Sequence, residues 1–174
     1  MTAKHSEAIS DAGELRTKTV SWHNPHATAA AGHERSGLEF LTAWMRGETA
    51  GAPICELINA RLIAVDVGDV VFACEPDESV YNPIGMVHGG LACTLLDSAA
   101  GCAVHSTLPI GLGYSSIEIK VNFLRPIHAG KGEIFARGRV AKPGKRIAFA
   151  EAEIQDSSGT VLATASSSCL IVPA

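Results

Sequence analysis

The chain has 174 residues, 14 Lys+Arg against 18 Asp+Glu, a net charge of −4 and 47% apolar residues. A mean hydropathy of +0.19 with only 18% charged residues excludes a disordered chain. The acidic balance excludes the broad basic footprint that nucleic-acid phosphates need, although local basic clusters still suit a small phosphorylated ligand.

The length suits one domain with a tail. No apolar run is long enough for a transmembrane helix. The opening MTAKHSEAISDAGELRTK lacks the apolar centre of a secretory signal, so a cytoplasmic protein is expected. Cys55, Cys74, Cys93, Cys102 and Cys169 are odd in number and form no C-x-x-C. They read as free, mostly buried thiols, with nothing beside any of them to lower its pKa.

Residues 1–36 read as a flexible, solvated tail. It carries His5, His23, His26 and His33, and no Cys or carboxylate constellation joins these into a metal site. Residues 37–52 read as a covering helix: Leu38, Leu41, Trp44 and Met45 recur at helical spacing, Ser36 is placed to cap it and Gly47 to stop it. The main domain spans residues 53–174. It opens with a strand from Ile54 onward, a turn at Asp66–Asp69 and a second strand of Val70, Val71, Phe72 and Ala73. A loop broken by Asn82-Pro83 and Gly85 leads into GGLACTLLDSAAGCAVHS, a long helix ending before Leu108-Pro109. Four strands follow. In the first, Ile117, Ile119, Val121 and Phe123 alternate with Glu118, Lys120 and Asn122. Lys142-Pro143-Gly144 and Asp156-Ser157-Ser158-Gly159 mark turns. An antiparallel sheet with one apolar face needs a cover, and the long helix is the candidate: an α+β fold.

That helix has two faces at 100° per residue. Leu91, Ala92, Leu95, Leu96, Ala99 and Cys102 lie on a broad apolar side. Gly90, Thr94, Asp97, Gly101 and His105 lie on a narrow arc opposite. Between residues 88 and 105 Asp97 is the only formal charge, so the second face is expected to be covered, by a partner subunit or by another part of the chain. Asp97 is either hydrogen-bonded to Thr94, His105 or a backbone amide, or it is a general base or nucleophile. His88-Gly89-Gly90 opens the helix. It is either a tight turn or a site where unpaired first-turn amides and the positive end of the helix dipole meet a polarised carbonyl. His88 and Asp97 are nine residues apart, about 13.5 Å of rise and half a turn out of phase. One helix does not bring the Gly89 amide and Asp97 to one small electrophile, so joint action predicts a symmetric dimer with shared sites.

Asn82-Pro83-x-Gly85-x-x-His88-Gly89-Gly90, then Asp97, then Val121-Asn122-Phe123-Leu124-Arg125-Pro126, resembles the hotdog-fold acyl-CoA thioesterases, in particular the phenylacetate-pathway (PaaI-like) subfamily. The resemblance covers roughly residues 53–172. It implies a curved antiparallel sheet wrapped round one long helix, a homodimer joined sheet to sheet, and a homotetramer as a dimer of dimers. It implies that the Gly89 amide polarises the thioester carbonyl and that Asp97 of the partner subunit acts as general base or nucleophile. Asn82 would orient the water or the thioester, and His88 would hold the loop and Asn82 in place. Ser116 would position the water, with Ser115 competing because a one-residue slip exchanges faces. Gly90 would lie against the substrate. Arg125, Lys145 and Arg146 would meet the phosphates of coenzyme A or be ordinary surface charge. Met86, Val87 and Tyr114 are the expected acyl-pocket residues. No metal or other cofactor is implied, coenzyme A being part of the substrate. A hotdog hydratase or dehydratase acting on an enoyl or hydroxyacyl thioester, and a non-catalytic acyl-CoA binding module, are the competing readings.

Overall fold

A computed structural model describes residues 13–174; His5 and the rest of the first 12 positions lie outside the described residues. Within residues 13–36, read from sequence as a tail, the structure has a helix, α1 (Pro25–His33). Asn24 caps the amide of His26 and Pro25 opens the first turn, a start signal that the polar composition hid. None of its residues is buried. Ahead of it, Arg16 pairs with Glu78 at 2.8 Å, and Lys18 reaches Asp77 at 2.7 Å and the Leu57 carbonyl at 3.1 Å.

Ser36 and Glu39 form a reciprocal capping box that starts α2 (Gly37–Met45). Gly47, at φ 74°, follows it, a backbone angle that favours glycine. Leu41 and Ala43 are buried, and Trp44 meets Phe72 edge-on with centroids 5.7 Å apart. The expected strand from Ile54 is corrected: Pro53–Leu57 is a short helix, α3, with proline in its first turn. β1 starts only at Ala60 (Ala60–Asp66), after Asn59 at φ 55°.

The strands β2 (Asp69–Cys74), β3 (Leu112–Phe123), β4 (Ile134–Lys142), β5 (Ile147–Asp156) and β6 (Val161–Pro173) complete one antiparallel sheet in the order β1-β2-β4-β5-β6-β3. In β5 the alternation holds: Ala148, Ala150, Ala152 and Ile154 are buried, while Ile147 and Phe149 face outward. In β3 it fails at one residue. A bulge between Ser116 and Glu118, opposite Cys169 and Ser168, turns Ile117 outward to 53% exposure.

The long helix α4 (Gly89–His105) lies across the inner face of the sheet. Its predicted apolar side is buried throughout: Leu91, Ala92, Leu95, Leu96, Ala99 and Cys102. These residues close a core with Val70, Phe72, Ala136 and Ile154. This is the α+β hotdog arrangement, a curved antiparallel sheet round one helix. Among the described residues, no helix is long and apolar enough to cross a membrane.

Candidate active site

The loop before α4 is built by local hydrogen bonds. Tyr81 and Val87 form an isolated bridge. Within it the Asn82 amide donates to the Met86 carbonyl at 2.8 Å. The Asn82 Oδ1 accepts from the amides of Ile84 and Met86, each at 3.1 Å. This is an asparagine turn, and Gly85, at φ 81°, completes it. The His88 amide donates to the Val80 carbonyl at 2.8 Å, which ties the loop to the helix start.

His88 is the N-cap of α4, and its Nδ1 accepts from the Gly90 amide at 2.8 Å. It holds the helix start through this cap and the loop through its own amide, and makes no direct hydrogen bond to Asn82 among the described residues. The Gly90 amide is occupied by this cap. Gly89, the first helical residue, has no intrahelical acceptor, and its amide makes no hydrogen bond among the described residues. It opens on a cleft of about 530 Å³, lined by Met86, Val87, Gly89, Phe123 and Arg125 among others. The Phe123 ring lies over Gly89, 3.1 Å from where a Cβ would stand. Sequence reasoning gave Phe123 no place in the site. Its role there follows from β3 ending beside the start of α4. Arg125 is anchored at this cleft by a 2.7 Å bond from its guanidinium to the Val161 carbonyl.

Asp97 stands elsewhere. Its Oδ1 is buried with no hydrogen-bond partner. Thr94, a candidate partner, donates instead to the Gly90 carbonyl at 2.9 Å. α4 packs on β3 and β6, and Tyr114 of β3 lies over Gly101, one turn beyond Asp97. Ser116, half-buried, sits opposite the buried Cys169 in the β3–β6 pairing. Ser115 is exposed on the other face, so the two serines are distinguished. Burial pushes the Cys102 thiol up to about 12 and keeps it protonated. Four of the five thiols are buried and all are unbridged.

The site residues thus fall into two groups in one chain. Asn82, His88, Gly89 and Arg125 gather at the start of α4, whereas Asp97 stands two turns on and Ser116 lies on β3, a strand packed against α4. Eight residues separate Gly89 from Asp97 on a regular helix, about 12 Å of rise. Lys145 and Arg146 join neither group: they are exposed on the β4–β5 turn, at the end of the sheet away from Arg125. Of the expected acyl-pocket residues, Met86 and Val87 line the cleft, but Tyr114 lies at the far end of α4 over Gly101. Among the described residues, no three His, Cys, Asp or Glu side chains converge as a metal site would require.

Comparison with known proteins agrees with this architecture. The sequence pattern of the Thioesterase superfamily matches residues 84–163. Mouse acyl-coenzyme A thioesterase 13 is 31% identical over 98 residues, 56% of this chain and 69% of that protein. A Halobacterium salinarum protein carrying an esterase designation is 38% identical over 72 residues, 40% of this chain; the chain spans 46% of that relative's length. A crystal structure of a phenylacetic acid degradation-related protein from Ralstonia eutropha superposes with a TM-score of 0.68 at 26% identity, covering 75% of this chain and 98% of that one. The start of α4, Asp97 and the end of β3 all lie inside the matched region, and the chain belongs to the thioesterase superfamily.

Proposed function

We propose that the protein hydrolyses an acyl-CoA thioester at two sites shared across a homodimer. One observation carries the reading: an unengaged amide at Gly89 and an unpartnered buried oxygen on Asp97 belong to residues about 12 Å of rise apart on one helix. Neither completes a site alone, and a two-fold axis beside β3 supplies each with the other from a second copy.

In this reading the thioester carbonyl accepts the Gly89 amide at the positive end of α4. Asp97 of the partner subunit either takes a proton from the attacking water or attacks the carbonyl itself. Attack by water forms the carbon–oxygen bond of the free acid directly, whereas attack by Asp97 forms an anhydride that water then hydrolyses to the acid and the regenerated carboxylate; in either case the carbon–sulfur bond breaks and the coenzyme A thiolate leaves and takes up a proton. A thiolate is a good leaving group, so no general acid and no metal is required. Asn82 keeps the loop folded through its Oδ1 and has its side-chain amino group left to orient substrate. Ser116 positions the water beside Asp97. Arg125 meets coenzyme A phosphates from the Gly89 side. Lys145 and Arg146 serve only if the partner's turn reaches the same cleft. Two such dimers form the tetramer.

The test is subunit complementation, read by thiol release. Asp97→Asn and Gly89→Pro each inactivate their homodimers. Refolded together in equal amounts they recover roughly a quarter of wild-type activity, because half the dimers are mixed and each holds one intact site. No recovery from a mixture shown to contain mixed dimers rules out shared sites. Conversion of an enoyl-CoA without thiol release turns the assignment toward a hydratase.

A further inference from the structure

The stretch ahead of α1, read from sequence as part of a solvated tail, is tied down beside the site. Lys18 Nζ donates to three acceptors: the Leu57 carbonyl at the end of α3 at 3.1 Å, the Asp77 carboxylate at 2.7 Å and the Ser79 hydroxyl at 3.5 Å. Arg16 adds an ion pair to Glu78 at 2.8 Å. Of the two cations Lys18 is the better seated: its side chain is 31% exposed, against 77% for Arg16. Asp77 caps the single helical turn Glu78–Val80 by accepting from the Ser79 amide at 2.8 Å. That turn ends in the Val80 carbonyl, the acceptor of the His88 amide. His88 has three anchors. Its Nδ1 and its carbonyl engage the amides of Gly90 and Leu91 inside α4, at 2.8 and 3.0 Å; among the described residues only its amide ties it to the loop. The Gly89 N–H lies in the peptide plane that begins at His88, so its direction follows that anchor. Lys18 and the Asp77–Val80 turn lie outside residues 84–163, the stretch matched by the superfamily pattern.

We propose that Lys18 is a positioning residue: it straps the N-terminal arm to the Asp77–Val80 turn and, through Val80 and His88, fixes the direction of the Gly89 amide. The inference rests on the thioesterase reading. A donor to a developing oxyanion works only within a narrow range of distance and angle, and a misplacement of about 1 Å costs rate. The coupling is partial. Val87 donates to the Ile127 carbonyl at 3.0 Å, and Ala129 donates to the Tyr81 hydroxyl at 3.0 Å; neither bond involves Lys18. A severed strap therefore loosens the turn and leaves the loop folded. The expected loss is several-fold, not the hundredfold or so of losing the amide itself. Lys18→Glu does more than remove the cation: it sets a negative charge against Asp77 and Glu78 and drives the arm away.

The experiment compares the wild type with Lys18→Glu, Lys18→Ala and Lys18→Arg in the whole chain. It reads kcat and KM for thiol release, on whichever of acetyl-, hexanoyl- and palmitoyl-CoA the wild type turns over fastest. It also reads deuterium uptake across residues 80–89 and across β5. In Lys18→Glu kcat falls about fivefold with KM within about twofold, the mark of an interaction used in the transition state. In Lys18→Ala kcat falls about twofold, and Lys18→Arg, which keeps the cation, stays near the wild type. Uptake across residues 80–89 quickens about threefold or more in Lys18→Glu, while β5 is unmoved. A purely structural role would lower the melting temperature and leave kcat per folded molecule where it was. An unchanged kcat in folded Lys18→Glu overturns the proposal. So does a loss in Lys18→Arg equal to that in Lys18→Glu, or exchange that quickens in β5 as well. Should Lys18→Glu not fold, Lys18→Ala against Lys18→Arg decides. A wild type inert on every acyl-CoA overturns the thioesterase reading and this one with it, whereas an active wild type with an unmoved kcat in the variants overturns only this one.

Discussion

The two ends of α4 are built on opposite terms. At its start the Gly89 amide has no acceptor among the described residues, and two turns on the Asp97 Oδ1 is buried without a partner. At its C-terminal end the chain fills every gap with itself: Tyr114 covers Gly101, His105 stacks between Tyr114 and Phe40, and α2 rests on the His105 carbonyl. A buried polar atom left unpaired costs about 1–3 kcal/mol, and folded proteins leave few of them. Both halves pack their apolar side into the core; on the opposite side the front half leaves polar groups unpaired, and the rear half is covered by Tyr114, His105 and α2.

The sharpest way to break this contrast is Gly89→Pro, which removes one N–H and adds a Cβ 3.1 Å from the Phe123 ring, with Gly89→Ala, which adds the same Cβ and keeps the N–H, as its control. Proline is tolerated at the first helical position, and His88, at φ −62° and ψ 137°, already has the backbone a residue before proline adopts. Thiol release falls about 10²–10³-fold relative to Gly89→Ala, while the two melting temperatures stay close; a large loss of stability in the proline variant alone would show that the amide serves folding. At the rear the effect reverses. Gly37→Ala forces α2 off the His105 carbonyl and destabilises by about 1–3 kcal/mol, read as a lower urea midpoint. His88→Ala tests the boundary between the two: it removes the cap on the Gly90 amide and costs about 1 kcal/mol in a thermal melt. The smallest change lies outside α4. Lys18, then Ser79, hold the Asp77 carboxyl at about 2, below its ordinary 3.8. A depressed carboxyl stabilises the fold above the unfolded value and loses that contribution as pH falls through about 2. Lys18→Ala therefore costs a few tenths of a kcal/mol at neutral pH, the size of an exposed pair, and the difference vanishes below pH 2.

Much of this was legible in the chain. The two faces of α4 follow from its periodicity, and its limits follow from His88-Gly89-Gly90 and Pro109. The β-strands after it follow from alternation and turn residues. What escaped had physical reasons. Ile54 and Leu57 look strand-like, yet Pro53 starts a helical turn and both residues stay exposed. α1 buries nothing, so no apolar stripe announces it. The β3 bulge adds one residue that alternation does not count, and Ile117 moves to the outer face. In the site, spacing alone set Gly89 and Asp97 apart on the helix. It did not show that Thr94 bonds the Gly90 carbonyl and not Asp97, or that His88 holds Gly90 and not Asn82. Nor did it show that α2 and Tyr114, distant in sequence, cover the rear of α4, because such contacts are fixed by the closed fold.

The position of β3 at the rim of the sheet has a consequence for solvent labelling. Bonded to β6 on one flank alone, it turns alternate peptide N–H groups toward water over 12 residues. In an isolated chain those positions take up deuterium quickly while their neighbours resist, a pattern of period two. When a second copy lies alongside, the fast half slows, and the exchange pattern of this one strand then reports how many molecules are joined.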